Sequence, residues 1–131
     1  MVPAPDRRWK HEPKKATKSP PLLEQREDVA KIRRGLPDTR LIQTVFSPLT
    51  VLLFIVGRSA YVYPTVFGIE QPVTLESLFQ EHRAAAHHAL HAIALTMADY
   101  VQELKRAGSD GLFYAVTGTA HPGMFDEASF N

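Results

Sequence analysis

Residues 97–106 read Met-Ala-Asp-Tyr-Val-Gln-Glu-Leu-Lys-Arg, 107–111 read Ala-Gly-Ser-Asp-Gly, and 112–125 read Leu-Phe-Tyr-Ala-Val-Thr-Gly-Thr-Ala-His-Pro-Gly-Met-Phe. The first part has helical spacing, with Met97, Tyr100, Val101 and Leu104 on one stripe and Asp99, Gln102, Glu103, Lys105 and Arg106 off it. Lys105 and Arg106 fall in the last turn, where cations suit the negative end of a helix, and Gly108 stands where a C-cap is wanted. Asp110-Gly111 then turns the chain into a short apolar run at 112–116, the pattern of a buried parallel strand. Helix, glycine turn, strand and polar loop together make one αβ unit.

The same order appears earlier in the chain. Residues 22–34 carry a loose apolar stripe of Leu22, Leu23, Val29 and Ile32, with Pro21 at the first turn and Gly35 at the end. A turn at 38–40 leads into a strand at 41–46, stopped by Ser47-Pro48. Residues 49–56 are the most apolar part of the chain and read as a short buried helix. The apolar stretch from 41 to 56 is sixteen residues, interrupted by Gln43, Thr44, Ser47, Pro48 and Thr50, against the ~20 that a membrane span requires. Residues 57–72 mix strand propensity with Pro64 and Gly68 and receive no assignment. A long helical pattern then runs from Thr74, its expected N-cap, to Arg106, with a break expected near 82–86.

The 131 residues have room for one domain with a modest core, and 44% hydrophobic with 22% charged residues is ordinary for a globular chain. The absence of cysteine excludes disulfides and thiolate metal sites. The net charge of +1 hides an asymmetry: residues 1–18 hold six basic and two acidic side chains, and the remainder nine basic and twelve acidic. The body is thus slightly acidic, which argues against nucleic acid as a partner. Residues 1–21 contain five of the ten prolines and few apolar residues, so they read as a basic flexible tail ahead of a domain at 22–131. The tail lacks the apolar core of a signal peptide, which predicts a cytoplasmic protein with no membrane partner.

Two groups of residues invite chemistry. His87 and His91, at i and i+4 and flanked by His82 and His88, have a spacing that can serve a metal, but no third ligand is evident. Their wheel positions, off the apolar stripe, predict surface histidines and no metal site. The loop at 117–123 is the better candidate, because Thr117, Thr119 and His121 follow directly on a strand. In α/β barrels the loops after the carboxyl ends of the strands carry the active site. Residues 47–50 hold the equivalent position one unit earlier.

These segments resemble the uroporphyrinogen decarboxylase family. Leu41-Ile42-Gln43-Thr44-Val45-Phe46-Ser47-Pro48-Leu49-Thr50 is similar to that family's strand-and-turn segment. The later run, with Ala89-Leu90, Ile93, Tyr100, Ala107-Gly108, Asp110-Gly111 and Phe113, is similar to the helix the family feeds into a barrel strand. The likeness is good over 41–50 and 88–130, weak over 22–40, and poor over 1–21 and 58–80. It implies an α/β fold, a partial (β/α)8 barrel, and a carboxy-lyase that removes acetate carboxyls from a porphyrinogen in haem biosynthesis without metal or organic cofactor. Zinc-using corrinoid-linked methyltransferases are relatives within the same superfamily. The resemblance places the family's substrate-pocket tyrosine at Phe54 and its substrate-holding hydroxyl at Thr117.

The family's arginine-rich segment, catalytic aspartate and C-terminal histidine have no counterpart here, and a full barrel takes about 250 residues. The expectation is therefore a truncated, inactive unit with no catalytic residue of its own. Its candidate substrate-binding residues are Phe54, Thr117, Thr119 and His121, and its partner is a porphyrinogen-like small molecule. Alternatives are a non-catalytic module that binds itself or a partner through exposed sheet edges, a corrinoid-linked methyltransferase relative, and a small membrane-associated protein.

Overall fold

A computed structural model describes residues 14–56 and 76–116 of the chain. Its elements are helix α1 (Pro20–Gly35), strand β1 (Ile42–Phe46), helix α2 (Pro48–Ile55), one π-helical turn (Ser77–Glu81), helix α3 (Arg83–Ala107) and strand β2 (Gly111–Ala115). The two strands pair in parallel, Ile42 opposite Gly111 through Phe46 opposite Ala115. Over the described residues the protein is α/β, with helices on a two-stranded parallel sheet.

Local sequence accounts for most of the boundaries. Prolines open α1 and α2, where the missing N–H has no intrahelical partner to lose. The C-cap of α3 is Gly108 at φ 109°, in the left-handed region, and Ser109 N–H closes the end on Leu104 C=O at 3.0 Å. A Cβ at Gly108 would stand 2.7 Å from Arg33 Cγ, so the glycine also lets α1 approach. Helix α1 ends at Gly35, as expected, with a different cap from that of α3. Gly35 is its last helical residue and Leu36, at φ −133°, is the cap, so no left-handed glycine closes that helix. The break expected near 82–86 is present as the π turn and a bend at His82, after which α3 runs for 25 residues. Thr74 lies outside the described residues.

Two apolar clusters hold these elements. Val29 of α1, Val45 of β1 and Tyr100 and Leu104 of α3 form the first, with Leu22, Leu41, Met97 and Val101 packed around them. Leu52 and Leu53 of α2, Leu78 of the π turn and Ala86 of α3 form the second, with Leu90 and Ile93 against it. Helix α3 lines both, so its long stripe is what joins the β1 side to the α2 side. Thr96, also buried on α3, bonds its hydroxyl to Ala92 C=O at 2.8 Å and accepts from Ala16 N–H at 3.0 Å. Lys15 reaches Asp99 at 2.9 Å. The described end of the basic head thus lies against α3. Residues 1–13, most of the expected tail, are outside the described residues.

The strands are less buried than their apolar sequences predict. On β1 only Val45 is buried, and on β2 only Ala115. A parallel sheet is normally covered on both faces. Here α1 and α3 cover the Val45 side of β1, and Ile42 and Phe113 on the opposite face are each 63% exposed.

A set of polar contacts ties the amino ends of both strands to α1. Arg33 Nε donates to Gly108 C=O at 2.9 Å, and its Nη1 donates to Pro37 C=O and Thr39 C=O, both at 3.0 Å. Its Nη2 pairs with Asp110, whose same carboxylate oxygen accepts Leu41 N–H at 2.8 Å. One guanidinium therefore joins the loop before β1 to the loop before β2. The Leu41 N–H first, and then Arg33, hold the Asp110 carboxyl below the usual carboxylate range.

Candidate functional site

Because the strands are parallel and in register, their carboxyl ends lie side by side. Ser47, just past β1, donates its N–H to Ala115 C=O at 2.9 Å and carries the pairing beyond the strand. Ser47 is also the N-cap of α2, its Oγ accepting from Thr50 N–H at 3.2 Å. The two hydroxyls lie 2.8 Å apart and share a hydrogen bond, in a site where Ser47 is 6% and Thr50 0% exposed. Pro48 at the first turn completes this Ser-Pro-x-Thr corner. Satisfied hydroxyls of this kind suit holding the turn rather than attacking a substrate.

Replacing Ser47 with Ala removes the cap and leaves the Thr50 hydroxyl without its partner in a dry site. Ser47→Ala is expected to cost roughly 1.5 kcal/mol, read from the urea midpoint. Ser47→Thr should recover most of the loss.

Phe54 lies on α2, half-buried, with its ring edge-on to Phe46 at 6.0 Å between centroids and 83° between planes. It therefore stands with the last residue of β1, at the strand carboxyl ends. Thr117, Thr119 and His121 lie outside the described residues, which stop at Val116, one position short of Thr117. Of the four candidate residues, Phe54 alone has a described place. No protein-family model, no curated protein and no solved structure matches this chain.

The histidines at the start of α3 and just before it behave largely as their wheel positions predict. His82, His87 and His91 are exposed, whereas His88, expected opposite the apolar stripe, is half-buried. Among the described residues no group of three or more His, Cys, Asp or Glu could hold a metal ion. No helix among them is long and apolar enough to cross a membrane. The eight-residue α2 is too short for that, and its Leu52 and Leu53 face the π turn and α3.

Two other polar groups are tuned by the fold. Burial raises the Tyr100 hydroxyl above its usual range, and it donates to Gln25 Oε1 at 2.7 Å. Glu103 lies between Arg26 and Arg106, and the hydrogen bond from Arg26 is the main cause that lowers its carboxyl. Both sit on the α1–α3 seam, away from the strand ends, and both fasten α3 to α1.

Sequence reading singled out residues 47–50 as a strand-end turn but did not reveal that Ser47 and Thr50 share a buried hydrogen bond. The signal was present as serine followed by proline and a hydroxyl three residues on, which is N-cap grammar. Arg33 had no such signal, since Gly108 and Asp110 are more than seventy residues away.

Proposed function

We propose that this chain is a uroporphyrinogen decarboxylase-like αβ unit that receives a porphyrinogen-like polycarboxylate at its strand carboxyl ends and, as this polypeptide, does not decarboxylate it. The observation that carries the reading is the parallel, in-register pairing of β1 and β2, which brings the 46–50 turn beside Ala115 at the end of β2. These are the two segments where the family resemblance is good. Phe46 and Phe54 offer an apolar surface there, and the family resemblance assigns to Thr117, outside the described residues, a hydroxyl suited to a substrate carboxylate. Apolar walls with a few placed polar groups are the usual composition of a small-molecule site.

Lack of turnover follows from the charges. Removing a carboxyl from a pyrrole acetate calls for stabilisation of a protonated ring, and for arginines that hold the other carboxylates. Three of the six described arginines are engaged away from the strand carboxyl ends, Arg33 at the amino ends of the strands and Arg26 and Arg106 with Glu103 on the α1–α3 seam.

The test uses two measurements on the purified chain. Incubation with uroporphyrinogen is expected to yield no coproporphyrinogen. Titration with uroporphyrin, followed by its fluorescence, is expected to saturate, and Thr117→Val should weaken binding roughly tenfold through one lost hydrogen bond to a carboxylate. Formation of coproporphyrinogen would overturn the claim of inactivity. Absence of saturable binding would overturn the substrate class.

A further inference from the structure

Four of the six histidines of the chain fall within residues 82–91. His82 stands at the N-cap of α3, and His87, His88 and His91 lie in its first turns. One pair among them is spaced i, i+4: His87 and His91, about 40° apart around the helix and one turn apart along it. Both are exposed. His88 points about 100° away from His87, is half-buried, and is engaged by a contact of its own.

In a helix the Cβ atoms of such a pair stand about 5–6 Å apart. From there two imidazole nitrogens can meet one ion at the ~2.0–2.1 Å of a metal–nitrogen bond. The fold holds this spacing before any ion arrives. Helix α3 runs unbroken for 25 residues, and on its inner face Ala86, Leu90 and Ile93, interleaved with the two histidines, pack into the second cluster. Both rings therefore start from one rigid frame, and little ordering entropy is lost in bringing them to a common ion.

The donors select the kind of ion. Imidazole suits Cu²⁺, Ni²⁺ and Zn²⁺, whereas Mg²⁺ and Ca²⁺ take oxygen ligands. Glu81, the nearest carboxylate in sequence, is held by the Ser77 hydroxyl at 2.9 Å. Arg83, one turn before His87, is the nearest cation and is itself exposed, so its long side chain can turn to water. Exposure counts against a closed structural metal centre, which takes four protein ligands, and not against an open one whose other positions are filled by water.

We propose that His87 and His91 form a solvent-open two-histidine site for a divalent transition ion, holding Cu²⁺ more tightly than Ni²⁺ or Zn²⁺. The site rests on α3 alone and is independent of the proposed substrate.

The test is calorimetric titration of the full chain, free of any affinity tag, with Cu²⁺, Ni²⁺, Zn²⁺ and Mg²⁺. Saturable binding is expected for the first three, tightest for Cu²⁺, and none for Mg²⁺. His87→Ala and His91→Ala should each weaken Cu²⁺ about tenfold or more, the loss of one ligand of two. His82→Ala and His88→Ala should leave the affinity unchanged. A second measurement reads the same pair through folding. The i, i+4 frame exists only in the folded helix, so Ni²⁺ should raise the urea midpoint of the wild type and not that of His91→Ala. Because His91 is exposed, that variant should keep its far-ultraviolet circular dichroism. Absence of saturable Cu²⁺ binding would overturn the proposal. So would an affinity unchanged in both His87→Ala and His91→Ala, or a loss in His88→Ala as large as in His87→Ala.

Discussion

Leu104→Ala is expected to cost about 3 kcal/mol, seen as a lower urea midpoint with an unchanged slope. Leu104 is fully buried, and it shares its cluster with Val29 of α1, Val45 of β1 and Tyr100 of α3. Truncating it removes three carbons from a site where helix, helix and strand meet, so no one element can move in to fill the space. The loss is a large share of the ~5–15 kcal/mol that a domain of this size has in total. The comparison that isolates burial is Ile42→Ala, at a residue of β1 that is 63% exposed, where a change within about 0.5 kcal/mol is expected. Equal losses at the two positions would show that the first cluster is not the core of the fold.

The second large effect concerns Arg33. Arg33→Ala deletes its bonds to Gly108, Pro37 and Thr39 and its pairing with Asp110, and is expected to cost roughly 2 kcal/mol. Arg33→Lys should recover little, because an ammonium cannot reproduce the planar fork that reaches four partners at once. The same contacts predict a pH dependence. The folded-state carboxyl of Asp110 titrates below its unfolded value, so its contribution is fully present above the ordinary aspartate range near ~3.9 and is lost as pH falls through and below it. Glu103 is lowered in the same direction by Arg26 and acts with the same sign. Wild type should therefore lose more stability on acidification than Asp110→Asn, which keeps only the Glu103 part. Added salt should narrow the difference, since Asp110 and Arg33 are partly open to water. Parallel pH profiles for the two proteins would show that the Asp110 carboxylate does not couple to folding.

How far the fold could be read in advance differs from element to element. Helix α3 was legible because its stripe repeats over many turns and ends in Lys105, Arg106 and Gly108, signals set by neighbours in sequence. The strands were legible as strands, and their parallel sense followed from the helices between them. Their exposure was not. An apolar run such as 112–116 has the same spelling whether a further strand and helix cover it or not, because burial depends on what else the chain brings near. The histidines show the reverse case: the i, i+4 spacing of His87 and His91 admits a metal, and wheel geometry gave the correct exposed reading. Of the candidate site, the turn at 47–50 could be located, and the hydroxyl pair inside it could not.

The amino-acid sequence by itself determined the αβ order, the proline at the start of α1, the glycine that ends α3, and the turn at 47–50 that follows β1. All of these are decided within a few positions along the chain, by backbone sterics, capping and side-chain periodicity. Tertiary structure alone decided that β1 and β2 are neighbours in register, that Arg33 joins the loops ahead of both, that α3 serves two clusters, and that among the described residues most of the apolar side chains of β2 stay exposed. Each of these depends on groups dozens of residues apart meeting at ångström distances, and contact at that range is a property of the packed chain, not of any one stretch of it.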